Sequence, residues 1–166
     1  MPFVPPWSGM HPLVVHFPIV LLLVAPVFLG LAIFRREPTG PYVVSAWFLL
    51  VSGMVGTWVA TMSGEAAANL VVASDQIRQA VEHHSDLGEY ARDAATLVTL
   101  VLSAHLGWVL ILKKPLSARL SLGLLGAVFI GSLAGAVLVG MTGHAGAYLV
   151  HGLGVTNIAS FPPSVP

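Results

Sequence analysis

The chain has 166 residues, of which 56% are hydrophobic and only 8% charged, with a formal net charge of zero and no cysteine. A soluble domain carries roughly a quarter charged residues, so water is not the main solvent here, and the neutral balance offers no basic surface to nucleic acid. Without thiols there is no route to disulfides, iron–sulfur clusters, thiolate zinc, blue copper or covalently attached c-type haem, which leaves seven histidines as the main soft ligands, with five methionines behind them.

The opening MPFVPPWSGM contains no lysine or arginine, so the first apolar run lacks the charged start of a secretory signal and is expected to be a retained helix. Crossing a bilayer takes about 20 apolar residues at about 1.5 Å each. The first span is expected over 12–34, with Pro12 or Pro18 tolerated near its start and Pro26 kinking it. The turn signal Pro38-Thr39-Gly40-Pro41 leads into a second span over 42–62. Ser74 is placed to cap a third helix over 75–112, whose first turns are amphipathic and project beyond the bilayer. The fourth is expected over 118–150, although Gly143, Gly146, Gly152 and Gly154 permit an earlier end. The expected fold is therefore all-α: one domain over 1–166, an integral membrane bundle of four helices.

Orientation follows from the basic residues of the short loops, which stay in the cytoplasm. Arg35 and Arg36 follow the first span, and Lys113, Lys114 and Arg119 lie between the third and fourth; only Arg78 and Arg92 fall on the other side. Both termini and the region 64–90 are then expected on the periplasmic side of a bacterial inner membrane. Tyr42 and Trp108 would sit near the inner interface, and Trp58, Tyr90 and Tyr148 near the outer one.

Distance from the cytoplasmic basic residues converts into depth. His16 is 19 residues from Arg35, about 28 Å, at the outer edge of the hydrocarbon. His144 is 25 residues from Arg119, about 37 Å, and His84 is 29 from Lys113, about 43 Å. His105, eight residues or about 12 Å from Lys113, is the exception. Three helices thus bring histidine to the outer side. On the fourth helix Ser132, Ala136 and Gly140 recur every four residues and lead to His144, with His151 seven further on. Such a row suits a flat macrocycle or a closely approaching helix, and Gly123, Ala127, Gly131 and Gly135 form a second row that packing must use.

Each residue also has a structural reading. His16 stands two residues before Pro18 and can bond a carbonyl that the proline leaves free. His83 and His84, beside Asp86 and Glu89, can form a solvated helix face; His105, Met54 and Met62 can be core. Convergence from several helices, rather than any single residue, points to a site, because ionisable groups inside a membrane are costly.

The opening HPLVVHFPIVLL and the closing GHAGAYLVHGLGV together resemble the bacterial membrane family called domain of unknown function 2231. The positions carrying the resemblance are His11, Pro12, His16, Phe17 and Pro18, then His84 of HHSDLG, then Gly143, His144, Tyr148, His151 and Gly152. Relatives are sometimes joined to c-type cytochrome or Rieske-like domains, so the resemblance implies a redox setting; here an electron partner would be a separate protein.

The leading expectation is a b-type haem held near the periplasmic face by two histidines. His16 with His144 is the best-matched pair, His84 the substitute and His151 a further candidate, passing electrons between quinol or other subunits of a respiratory or photosynthetic complex and a periplasmic cytochrome c. A second expectation is a cofactor-free accessory or assembly subunit of a larger membrane complex. A third is a copper or zinc site from His16, His83 or His84, and His144, with Glu82 or Asp86. No nucleophile–base signature, phosphate loop or H-E-x-x-H is present, so the chain is not expected to be an enzyme by itself.

Overall fold

Buried residues at alternating three- and four-residue steps give each long helix one inward face. A computed structural model describes residues 6–71, 74–114 and 116–155. After a turn of 3₁₀ helix at Trp7–Gly9 come α1 (His11–Val14), α2 (His16–Arg35), α3 (Pro41–Ala68), α4 (Asp75–Leu106) and α5 (Ala118–Ala147). A π-helical turn, Gly107–Ile111, ends α4, and another, Tyr148–Gly152, ends α5. The helices His11–Arg35, Pro41–Ala68, Asp75–Ile111 and Ala118–Gly152 are long and apolar enough to cross a membrane, and no strand occurs among the described residues. The second helix runs past its expected end at Met62 to Ala68, and the fourth remains helical through His151.

Local chemistry explains the boundaries. Pro18 has no N–H to offer, and α1 and α2 are separated at Val15, although its backbone stays right-handed helical. Arg36 takes a left-handed conformation at φ 57°, and Glu37 N–H reaches back to Ala32 O at 3.0 Å, closing α2 with the bond pattern a glycine usually makes. Ser74 Oγ accepts from Ile77 N–H and caps α4, while Ser117 caps α5 through Leu120 N–H.

Each helix packs against the next in sequence, and α5 closes the ring against α2. The inward faces are Leu22, Ala25, Leu29 and Ala32; Val43, Ala46, Leu50 and Gly53; Ala91, Ala95, Val98 and Leu102; and Leu125, Val128, Ser132 and Val139. Around these, Phe34 (84% exposed), Ile111 (79%) and Ile130 (68%) point outward, the arrangement of a protein whose solvent is lipid. Small residues let the backbones approach. A Cβ on Gly131 would lie 2.7 Å from Val98, so one row of small residues on α5 is spent on contact with α4. Gly56 meets the rigid ring of Pro18, with three ring carbons between 3.0 and 3.3 Å of where its Cβ would stand. Gly56→Val is therefore expected to force α2 and α3 apart and to destabilise by roughly 1–3 kcal/mol, read as a lower unfolding temperature in detergent. Gly123→Val, where a Cβ meets nothing within 4 Å, should leave that temperature nearly unchanged.

Polar side chains tie the two hairpins, α2–α3 and α4–α5, to each other. Thr99 Oγ1 donates to Ala95 O at 2.6 Å within its helix and stands 3.3 Å from Leu50 O across the interface. Trp47 Nε1–H donates to Ser103 Oγ at 2.8 Å, and Trp58 Nε1–H to Thr96 Oγ1 at 3.2 Å. Arg35 lies over Tyr42 and Lys114 over Trp108, which gathers cations and aromatic rings at one end of the bundle, as a membrane interface favours. Four crossings put the start of α1 and the end of α5 at the other end, together with the projecting turns of α4.

Candidate functional site: a histidine pair at one end of the bundle

Two histidines meet inside that other end. His11 opens α1, and its Nδ1–H donates to Ala60 O of α3 at 2.8 Å. His84, in the third turn of α4, donates from Nδ1–H to Thr142 O of α5 at 3.0 Å. A carbonyl oxygen can only accept, so each neutral ring carries its hydrogen on Nδ1 and keeps its lone pair on Nε2. The ring centroids are 6.1 Å apart and the ring planes nearly perpendicular, at 88°.

Both contacts repeat one local pattern. The accepting carbonyl belongs to a helical residue, and the residue one turn later on the same helix is glycine: Ala60 with Gly64, and Thr142 with Gly146. A Cβ at Gly64 would stand 2.9 Å from His11 Cε1 and Nδ1, and one at Gly146 3.0 Å from His84 Cε1. Each imidazole thus lies in a space that a side chain would otherwise fill. Ser63, fully buried, adds its own hydrogen bond to Ala60 O at 3.0 Å. One turn below His84, a Cβ on Gly88 would touch Thr61 and Thr142 at 3.8–3.9 Å, so helices α3, α4 and α5 close beneath the pair. Deeper still, the void beside Leu22, Leu50, Val98 and Ser132 holds about 10 Å³, no more than one water. The bundle interior at mid-depth is therefore closely packed.

The candidate histidines are distributed unevenly. His84 is half-buried in the pair. His16 is exposed, with Nδ1 turned back to Pro12 O at 3.1 Å, not to the Val14 carbonyl that Pro18 leaves free. His144 is exposed on the outer side of α5, where it lines a groove with His83, and His151 is exposed in the final turn. No contact joins His16 to His144. His105 is buried near the opposite end, with Nε2–H donating to Pro38 O at 3.1 Å, the tie expected of a core histidine that pins a loop. Among the described residues no three histidine, aspartate or glutamate side chains converge as a metal ion would require. The copper or zinc alternative built on His16, His83 or His84, His144, Glu82 and Asp86 therefore has no ligand set.

The sequence marks His11 only through the HP of the opening motif, and not as a ligand. A signal is nonetheless present: His11 lies seven residues before the buried Pro18, on the same helical face.

Residues 8–159 match the family described as "Predicted membrane protein (DUF2231)". The chain belongs to this family. The match takes in all four spans, both histidines of the pair and the glycines that seat them. No curated protein and no solved structure matches the chain. For this DUF2231 member, then, chemistry has to be argued from the site itself.

Proposed function

We propose that this protein is a b-type haem electron-transfer subunit of a bacterial inner membrane, with the haem iron held between His11 and His84. The observation that carries the reading is the pair itself: two imidazoles from different hairpins, each with Nδ1 fixed on a backbone carbonyl and Nε2 left over. Histidine ligands to metals are commonly oriented through their second nitrogen in this way. The ring centroids stand 6.1 Å apart, near enough for His11 and His84 to hold one metal centre between them. The size of the donor set also favours haem, since a macrocycle needs two axial ligands from the protein while a bare zinc or copper ion needs three or four.

Bound there, haem would supply a one-electron couple, with His11 and His84 as the residues that hold it. The protein's own part is to orient the rings through Ala60 and Thr142, to keep their lone pairs on Nε2, and to exclude water from below through the packing at Thr61, Gly88 and Thr142. Partners in this reading are other subunits of a membrane redox complex, with quinol or a periplasmic cytochrome c at either end of the path.

A dithionite-reduced minus oxidised absorption spectrum of the purified protein, with a pyridine haemochrome assay, tests the proposal. A sharp b-type α band supports it; a flat spectrum from haem-replete cells removes it. The second reading, a cofactor-free accessory subunit, draws on the same two hydrogen bonds, which by themselves brace α1 on α3 and α4 on α5.

The excess of basic residues at the opposite end supports a periplasmic position for the pair. Because the chain has no cysteine, Glu37→Cys and Gln76→Cys each introduce a single thiol at an exposed site. A membrane-impermeant maleimide applied from the periplasm is expected to label the cysteine at 76 and spare the one at 37; labelling of both from one side would overturn the topology.

A further inference from the structure

The outer side of α4 and α5 carries a second, separate feature. A groove of about 570 Å³ runs between them, within the size range of small-molecule sites. Leu87, Val137 and Gly140 line its apolar part, and His83, His144 and Tyr148 its polar end. Val137 is 62% exposed and Tyr148 49%, on the side turned away from the bundle interior, so the groove opens sideways toward lipid.

The histidines differ in their partners, and His151, exposed in the final turn, lies outside the groove. His11, His16, His84 and His105 each have a ring nitrogen bonded to a backbone carbonyl. His83 and His144 have no hydrogen-bond partner among the described residues, and both line this one groove. A Cβ on Gly140 would meet nothing within 4 Å, so the backbone of α5 is bare where a flat ring would lie against it.

We propose that this groove binds the ring of an isoprenoid quinone. The molecule has a flat ring, carbonyl oxygens on opposite edges that accept hydrogen bonds, and a long apolar tail that stays in the bilayer. Two imidazoles and a phenol at the interface end of the groove supply the donors, and the apolar end leads the tail into lipid. A phospholipid would fill the same apolar stretch and can offer its phosphate oxygens to His83, His144 or Tyr148, but it has no flat ring to lie against the bare backbone at Gly140. The proposal does not depend on haem: His83 and His84 are successive residues on one helix, about 100° apart, so one faces the groove and the other the interior pair.

The test uses the full-length protein in phosphatidylcholine nanodiscs with an azido-ubiquinone photolabel, reading the labelled residues by mass spectrometry. Labelling is expected within 80–87 and 137–148, to be competed by excess decylubiquinone and not by decanol. It should fall at least tenfold in Gly140→Leu, whose Cβ meets nothing within 4 Å and whose side chain projects into the groove, and in the His83→Leu/His144→Leu double variant, each checked for unchanged helical circular dichroism. His16→Leu should label as the unaltered protein does. Labelling elsewhere, equal competition by decanol as an acyl-chain slot would show, or full labelling in the folded Gly140→Leu and double-histidine variants would each overturn the proposal.

Discussion

If haem is held between His11 and His84 as proposed, alanine at either position is expected to lower haem content from about one per chain to less than a tenth of that, because no other histidine stands beside the pair to replace the one lost. Alanine at His16 or His144 should leave it unchanged, since neither ring reaches the pair. The contrast matters more than the loss alone. Removing an imidazole also deletes a hydrogen bond between helices, at a cost of about 0.5–1.5 kcal/mol because each carbonyl keeps its helical partner and Ala60 O keeps Ser63 as well, so each variant should be checked for its unfolding temperature alongside its spectrum. His11→Gln and His84→Gln sharpen the comparison, because an amide N–H can keep the bond to Ala60 O or Thr142 O while offering iron a far poorer ligand. Glutamine variants that stay stable without haem support ligation; glutamine variants that retain haem remove that residue from the axial pair.

The second large effect is expected without touching a histidine. Gly64→Val would place a branched side chain where the His11 ring lies, beginning from a Cβ only 2.9 Å from two ring atoms. The valine cannot rotate clear, because its branch point is the clashing atom. The imidazole must leave, its 2.8 Å bond to Ala60 O breaks, and α1 loses its hold on α3. We expect a destabilisation of roughly 1–3 kcal/mol, read as a lower unfolding temperature in detergent, together with the spectral loss expected for His11→Ala. Gly143→Val on α5 is the matched control, since a Cβ there meets nothing within 4 Å. Equal stability of the two valine variants would show that the seat of the His11 ring does not matter to the fold.

Much of this architecture is legible in the residues. Hydropathy and the short basic loops mark the four spans, and Ser74 marks the cap of α4. The choice of histidines was harder, for a geometric reason. The row Ser132, Ala136, Gly140 and His144 advances four residues at a time, and each such step overshoots a full turn by about 40°, so His144 lies about 120° around the helix from the buried Ser132. A four-residue row therefore drifts off the inward face within a few turns. Following instead the alternating steps of the buried residues, Ala91, Ala95, Val98 and Leu102, back toward the start of α4 passes through Leu87 to His84. The same procedure on α2, from Leu22 through Pro18, arrives at His11 and skips His16. Matching histidines by depth alone, as His16 with His144, ignores the rotation that decides which side of a helix a ring occupies. What no single-chain pattern reveals is the partnership between each imidazole and a glycine on another helix, because the two lie 53 and 62 positions apart in the chain.

The helix ties sort into two kinds once the hairpins are considered as folding units. His11 with Ala60 and Gly64 fastens the first half of the chain to itself, and His84 with Thr142 and Gly146 does the same for the second. Each half can thus insert into the bilayer as a self-braced pair of helices before the halves meet. A group bonded to both imidazoles would act as a bolt across the seam, present only in the assembled protein. Its binding energy would then appear as resistance of one hairpin to peeling from the other, with the loaded form the more slowly cut by protease at the loop between α3 and α4.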